Sequence, residues 1–298
     1  MSVPTSRPVV SVPAQPRDRE ATGAARGKEA GHWSDRPWSK RVGRVLLALL
    51  LLALWEYASG RWVDPFFLSK PSQVWARLVR LAGNGELFLH LGVTLQETVL
   101  GLLLGMAVGV PAGVLFARSP FLSNIAQPFV MAFYSLPRVS LAPLFILWFG
   151  LGLLSKVMLV FTMVVFVAFY NSYQGVKSVD PDLIEMMRSM RASQRQITRW
   201  VILPSIRSWV MASLRLNIGM ALIGAVIGEM FASSRGLGYY IQYSSGMFDT
   251  TGVFTGLLVV MVTAIVLEAL LGWLDRGVLT RARFERKRTS SLPPGRGS

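Results

Sequence analysis

The sequence predicts an all-α fold: a polytopic membrane protein with six transmembrane helices and one long cytoplasmic loop carrying a pair of short helices. Three observations lead there. Hydrophobic residues fill 52% of the 298 positions and charged residues only 16%, against roughly 25% charged in soluble domains. The apolar residues come in long blocks, as spans of about 20 residues require. The basic residues, which give a net charge of +15, lie between and beyond those blocks. Membrane topology accounts for them, and nucleic acid is not implied as a partner.

Residues 1–43 are rich in Pro, Gly, Ser, Ala and Arg without apolar periodicity, which reads as a disordered basic cytoplasmic tail. The first span is residues 44–60. A signal peptide is disfavoured, because the preceding tail is too long and no small-residue cleavage site follows. Glu56 near its end fits a helix reaching the interface. Leu68-Ser69-Lys70-Pro71-Ser72-Gln73-Val74-Trp75 reads as a turn opening a short amphipathic helix, with Ser72 as N-cap. The second span, 89–117, carries Gly101, Gly105, Gly109 and Gly113 at a spacing of four. On a helix they form one stripe for close packing of a neighbouring backbone. Arg118-Ser119-Pro120 leads into a third apolar region, 125–150, broken by Pro128, Pro137 and Pro143. Broken membrane helices are tolerated where they are buried in protein or line a cavity. The fourth span is 156–173, the fifth 208–231 and the sixth 253–274. The membrane domain as a whole covers 89–275, with its cytoplasmic loop at 175–207 and a basic tail at 276–298.

With both termini inside, the cytoplasmic segments and membrane edge hold 23 Lys and Arg and the outer segments, Lys156 among them, hold 6. The remaining two, Arg138 and Arg215, fall within apolar regions. That asymmetry fixes both termini in the cytoplasm.

The loop is basic and amphipathic. Asp182 is placed to cap a helix, with Glu185 in the capping-box position. Leu183, Met186, Met187 and Met190 follow at helical spacing. After a break at Arg191-Ala192-Ser193, the apolar series resumes with Ile197, Trp200 and Val201. Pro204 marks the turn into the fifth span. Arg188, Arg191, Arg195 and Arg199 crowd the polar side. Such a segment suits anionic lipid. Its methionine-rich face equally suits a groove on a partner.

The segment resembles the cytoplasmic EAA loop of binding-protein-dependent ABC import permeases. Their pattern is Glu-Ala-Ala, three residues, Gly, nine residues, then Ile-x-Leu-Pro. Here Glu185, Met186, Met187, Arg191, Val201, Leu203 and Pro204 stand at those positions, with the spacing intact and four of the seven residue types changed. The likeness extends over about residues 66–275. Leu68–Trp75, Leu136-Pro137-Arg138, the run from Ala142 to Gly152, Gly175-Val176, Val179-Asp180-Pro181 and Arg235-Gly236-Leu237-Gly238-Tyr239 resemble the nitrate/sulfonate/taurine subfamily. Glu97 departs from it, standing where relatives commonly carry a basic residue.

The resemblance implies a permease subunit in a bacterial inner membrane, with the seven loop residues docking on ABC ATPase subunits. It also implies a substrate-binding protein on the outer face, and six spans per chain call for a second copy. ATP and Mg would sit on the partner ATPase and no cofactor in this chain. The cargo would be a sulfonate, taurine, nitrate or similar anion, or a vitamin precursor of the thiamine-pyrimidine or riboflavin type.

The residues themselves fit a non-enzymatic subunit. No G-x-x-x-x-G-K-[ST] phosphate loop occurs, since Gly27-Lys28 is followed by Glu29. Cysteine is absent, and His32 and His90 lie far apart, which disfavours a metal or nucleophilic centre. Arg138, Arg215, Glu229 and Glu268 are intramembrane charges, which mark a pathway or pair for stability. Arg138, between the prolines, is the first choice for meeting an anionic cargo. An ion-coupled transporter would want paired acids deep in the spans and would have no use for the loop. Gly236 and Gly238 are read as turn geometry at the start of a short outer helix.

Overall fold

The computed structural model describes residues 37–290, with side chains placed as far as Trp273 apart from a few positions. Most of the expected N-terminal tail and residues 291–298 lie outside the described residues. Among the described residues there are eleven α-helices. The chain divides into two compact units, Met1–Ala53 and Leu54–Ser298. In the first, the described residues belong to α1 (Pro37–Ala58), whose Val45, Leu46, Leu47 and Leu49–Leu52 are all exposed.

The second unit continues from the end of α1 through α2 (Pro71–Gly83), α3 (Glu86–Arg118), α4 (Pro120–Ser135), α5 (Ala142–Phe149) and α6 (Leu153–Lys177). Then come α7 (Pro181–Ser189), α8 (Gln194–Ile197), α9 (Leu203–Ala232), α10 (Leu237–Gly246) and α11 (Thr250–Ser290). Four segments are long and apolar enough to cross a membrane: Glu86–Arg118, Leu153–Lys177, Gln194–Ala232 and Thr250–Trp273. Gln127–Phe133 and Arg138–Phe149, bent by 81°, form a fifth if counted as one span. The helix α11 runs on to Ser290, into the segment expected as a tail.

The break in the third apolar region has one cause rather than three. Pro128 sits inside α4, Pro143 lies in the first turn of α5, and the chain leaves helical geometry at Leu136-Pro137. A residue before proline is pushed toward extended backbone, and Leu136 has ψ 132°. A 3-10 turn, Arg138–Leu141, then restarts the helix.

The centre of the unit is a seam between α3 and α6. Glycines at 101, 105, 109 and 113 face Val160, Val164, Ala168 and Ser172, a constant offset of 59 residues. A constant offset means parallel helices in register, and both rows follow the every-fourth-residue ridge. The rows extend one turn each way: Ala117 packs in one cluster with Val176, and Glu97 meets Lys156. The helix α9 covers the seam antiparallel, its Gly224 against Val160 and Met163, its Gly228 against Lys156 and Leu159. Leu102, Val160, Val164, Ile218, Ala221 and Ala225 form the buried core where the three helices meet.

The cap of α2 is Lys70, with Pro71 at the first helical position, so Ser72 does not cap it as expected. Proline's fixed φ and missing N–H suit that first position. Ser72 instead donates its N–H and hydroxyl to the Glu56 carboxylate at 3.0 and 2.7 Å. Glu56 thereby satisfies a free donor of the α2 N-terminus from outside.

Candidate functional site

The loop joining α6 to α9 is built as two short helices with a defined elbow. Asp180, rather than Asp182, caps α7: its carboxylate accepts the Asp182 N–H at 3.0 Å, and Pro181 takes the first helical position. The sequence contains two acids two residues apart, and the proline between them decides which is the cap. Glu185, thereby two positions beyond the capping-box place, is exposed and forms no capping box.

The α7 helix ends in a Schellman motif. The Ala192 N–H reaches the Met187 carbonyl at 3.0 Å and the Arg191 N–H reaches that of Arg188 at 2.8 Å. Such an ending needs one residue in the left-handed region, usually glycine. Here Arg191 takes it, with φ 55°. The departure from the glycine of the EAA pattern therefore leaves the elbow's backbone course available, at a conformational cost of about 1 kcal/mol. Ala192 and Met187, the positions that the motif pairs, both pack against the same buried cluster. Ser193 then opens α8 through a capping box with Gln196.

Pro204 does not turn the chain. Residues 194–232 run as one helical stretch because Thr198–Ile202 form a π turn immediately before it. Widening the helix there accommodates the ring and missing N–H that would break a regular α-helix. The loop helix α8 is thus continuous with the α9 span.

The apolar residues of the loop divide between two sides. Ile184, Met187, Ile197, Ile202 and Ile206 pack with Ala117, Val176 and Tyr173, fastening the loop to the ends of α3, α6 and α9. Leu183, Met186, Met190 and Trp200 point outward, Met190 being 72% and Trp200 69% exposed. The expected single apolar face of Leu183, Met186, Met187 and Met190 is therefore split, with Met187 inward and Met186 outward. Beneath the elbow lies a cleft of about 490 Å³ lined by Met187, Met190, Arg191, Ala192, Gln196 and Trp200. Val201 is half-buried, and Leu203 and Pro204 are exposed.

A second polar constellation lies at the opposite end of the seam. Lys156 Nζ donates to Glu97 Oε1 at 2.9 Å and to Ser233 Oγ at 2.9 Å. Glu229 is 1% exposed. Its Oε1 accepts the Thr94 hydroxyl at 2.7 Å and its Oε2 the Gly238 N–H at 2.6 Å. Lys156, expected among the outer-loop charges, is instead buried in the first turn of α6. Glu97 was detectable in principle, since it continues the glycine row by one turn. Its partner was not, because the offset between two helices is a tertiary fact. A buried ion pair adds little net stability, but removing one partner costs about 3–5 kcal/mol, and its best-attested use is fixing register.

The remaining intramembrane charges are dispersed. Arg138 opens the 3-10 turn, half-buried, its guanidinium 5.5 Å from the Phe166 ring centroid. That ring stacks on Phe133 at 5.9 Å. Arg215 is exposed on α9, fourteen residues and so about 21 Å along the helix from Glu229. Glu268 is exposed on α11. Arg215 and Glu229 do not share a site. Among the described residues, no group of His, Cys, Asp and Glu is arranged to hold a metal ion.

Comparison with known proteins matches this architecture. Residues 99–280 fit the family model described as the binding-protein-dependent transport system inner membrane component. The chain is 31% identical to the taurine transport system permease protein TauC of Escherichia coli, over 80% of this chain and 90% of that one. It is 30% identical to the putative aliphatic sulfonates transport permease protein SsuC of Bacillus subtilis, over 87% and 96%. It is also 30% identical to the formylaminopyrimidine transport permease protein ThiX of Halalkalibacterium halodurans, over 74% and 88%. An inward-facing structure of the MetNI methionine ABC transporter shares the fold, with a TM-score of 0.57 at 19% identity over 63% of this chain and 94% of that one. The chain therefore belongs to the family of inner membrane components of binding-protein-dependent transport systems: it is an ABC-transporter permease, not an enzyme, and ATP hydrolysis lies with a separate subunit.

Proposed function

We propose that this permease passes a small anion of the sulfonate class from a substrate-binding protein to the cytoplasm by alternating access, driven by ATPase subunits docked on the loop 175–207. The observation that carries the reading is the loop. Its inward apolar side locks it to three spans, and its outward side exposes Glu185 and Met186 and carries a cleft walled by Met190, Arg191 and Trp200. A lever needs both properties: rigid attachment to the moving part and a face for the motor. ATP and Mg bind on the ATPase, whose closure tilts α6 and α9 through the loop. Driving a two-state equilibrium from 1:99 to 99:1 takes about 5.5 kcal/mol.

We assign six spans, with α1 the first and the bent pair the third, and both termini to the cytoplasm; the basic-residue asymmetry supports this reading. At 22 residues, α1 is about 33 Å long, enough to cross. Two copies around a shared axis complete the path. Arg138 is the cation we assign to meeting the cargo.

The sulfonate class rests on the relatives named for taurine and aliphatic sulfonates. A vitamin-precursor cargo is the second reading, favoured by the relative named for formylaminopyrimidine. Calorimetry on the partner binding protein with taurine, an alkanesulfonate, nitrate and a formylaminopyrimidine separates the two. For the loop, Glu185→Lys is expected to abolish co-purification of the ATPase while leaving the spans folded; unchanged capture would falsify the docking role.

A further inference from the structure

The start of α10 is held in an unusual way. A helix begins with backbone N–H groups that have no partner within it. In α10, three consecutive ones at its start go to side chains of other helices. Gly236 N–H donates to His90 Nδ1 at 3.0 Å, Leu237 N–H to Thr94 Oγ1 at 2.9 Å, and Gly238 N–H to Glu229 Oε2. Thr94 donates onward to Glu229 Oε1, so α3 and α9 grip the same end together. The glycines are fitted to this grip. A Cβ on Gly236 would fall within the Glu229 carboxyl, and one on Gly238 would meet the Val226 carbonyl.

The third span joins through the ion pair. Lys156 of α6 bridges Glu97 of α3 to Ser233, whose hydroxyl donates to the Arg235 carbonyl in the turn before α10. Just beyond the far end of α10, Asp249 takes the Arg77 guanidinium of α2. Glu97 is 1% exposed, and its carboxyl also lies against that of Glu229, so the ion pair and the grip on α10 form one buried cluster.

We propose that Glu97, Lys156 and Glu229 are positioning residues that latch α10 to the ends of α3, α6 and α9, so that α10 moves with the spans as one body and does not open on a hinge. A short helix capped by its own sequence could swing as a lid. One whose capping groups all belong to other helices loses those hydrogen bonds as soon as it leaves them.

The absence of native cysteine makes this measurable. Ser244→Cys, in the buried face of α10, places a single thiol beneath it, and the full permease with its ATPase is alkylated in membranes by N-ethylmaleimide. The thiol is expected to react slowly both without nucleotide and after trapping with ATP and vanadate. Ser233→Ala, which spares the ion pair but cuts its link to the turn, should accelerate labelling severalfold. The neutral pair Glu97→Gln/Lys156→Met, which also removes the Lys156 link to Ser233, should accelerate it at least as much, as local opening becomes cheaper. The reversed pair Glu97→Lys/Lys156→Glu should return the rate toward the native one, which a mere loss of packing would not allow. Gln242→Cys, exposed on the same helix, should react alike in every background. Unchanged labelling in Ser233→Ala and in the neutral pair, or a native rate that rises on nucleotide trapping, overturns the proposal. The assay needs no cargo, so an error about the substrate leaves its result intact.

Discussion

Replacing Gly109 by alanine tests the α3–α6 seam directly. A Cβ there would lie 2.5 Å from the Val165 carbonyl oxygen, 2.8 Å from Ala168 Cβ and 3.1 Å from the Phe169 nitrogen. Ordinary contact begins near 3.4 Å, so α6 must recede by something under about 1 Å. A radial gap of about 0.5–1 Å forfeits a quarter to a half of each affected dispersion contact. The rows above and below, Gly105 on Val164 and Gly113 on Ser172, lose contact together because both helices are stiff. Overpacking of this kind costs about 1–3 kcal/mol. Alanine also gains up to about 1 kcal/mol of helix propensity over glycine, which would hide part of the loss. Gly92 provides the correction. It lies on the same helix, and a Cβ there meets nothing within 4 Å, so Gly92→Ala takes the propensity gain alone. The difference between the two variants isolates packing and should be about 1–3 kcal/mol, with Gly92→Ala at or above the parent. Reversible unfolding by SDS titration in mixed micelles reads it. A difference of less than about 0.3 kcal/mol, the usual error of additivity, would refute the close-packed seam.

Three further outcomes follow from the same geometry. Arg191→Gly should relax the left-handed elbow by about 1 kcal/mol, seen as about fivefold slower hydrogen exchange of the loop amides; faster exchange would contradict the Schellman assignment. Met186→Asp should weaken ATPase capture without lowering the melting temperature. Met187→Asp, buried against the span ends, should lower the melting temperature by itself, and identical behaviour of the two would remove the inside–outside division of the loop. Gly236→Ala and Gly238→Ala should each destabilise by about 1–3 kcal/mol through steric conflict. Gly246→Ala, whose Cβ meets nothing within 4 Å, should be neutral or better, and equal effects at all three would exclude the glycine cradle around Glu229.

Features that depend on one helix were legible in the sequence. The apolar blocks, the glycine row and the elbow at residues 191–193 all follow from periodicity along a single element, and the structure has them. Features settled by competition between neighbours were misread. Asp180 and Asp182 are equally good capping residues, and Pro181 decides between them by occupying the first helical position. Pro204 carries the sequence signature of a helix end, yet the π turn at Thr198–Ile202 absorbs it and keeps the helix continuous. Features that depend on register between helices were out of reach. Nothing local to Lys156 says that a glutamate 59 residues earlier lies opposite it.

Arg191 shows why motif matching and conformational reading can part company. The glycine of the EAA pattern has one physical advantage at that position, freedom in the left-handed region. An arginine forfeits that advantage, so the substitution looks like the loss of the elbow. The elbow is nevertheless held by two backbone hydrogen bonds, the packing of Ala192 and Met187 on one buried cluster, and the capping box that begins immediately afterwards. Two net hydrogen bonds are worth about 1–3 kcal/mol, which matches or exceeds the cost of one strained residue. The motif therefore constrains the backbone path more tightly than it constrains the residue. In return, Arg191 places a cation on the wall of the cleft beside Met190 and Trp200, where the glycine of the pattern would contribute none. An ATPase groove that fits this elbow should then carry a carboxylate opposite Arg191, and reversing both charges should restore a coupling that reversing either one destroys.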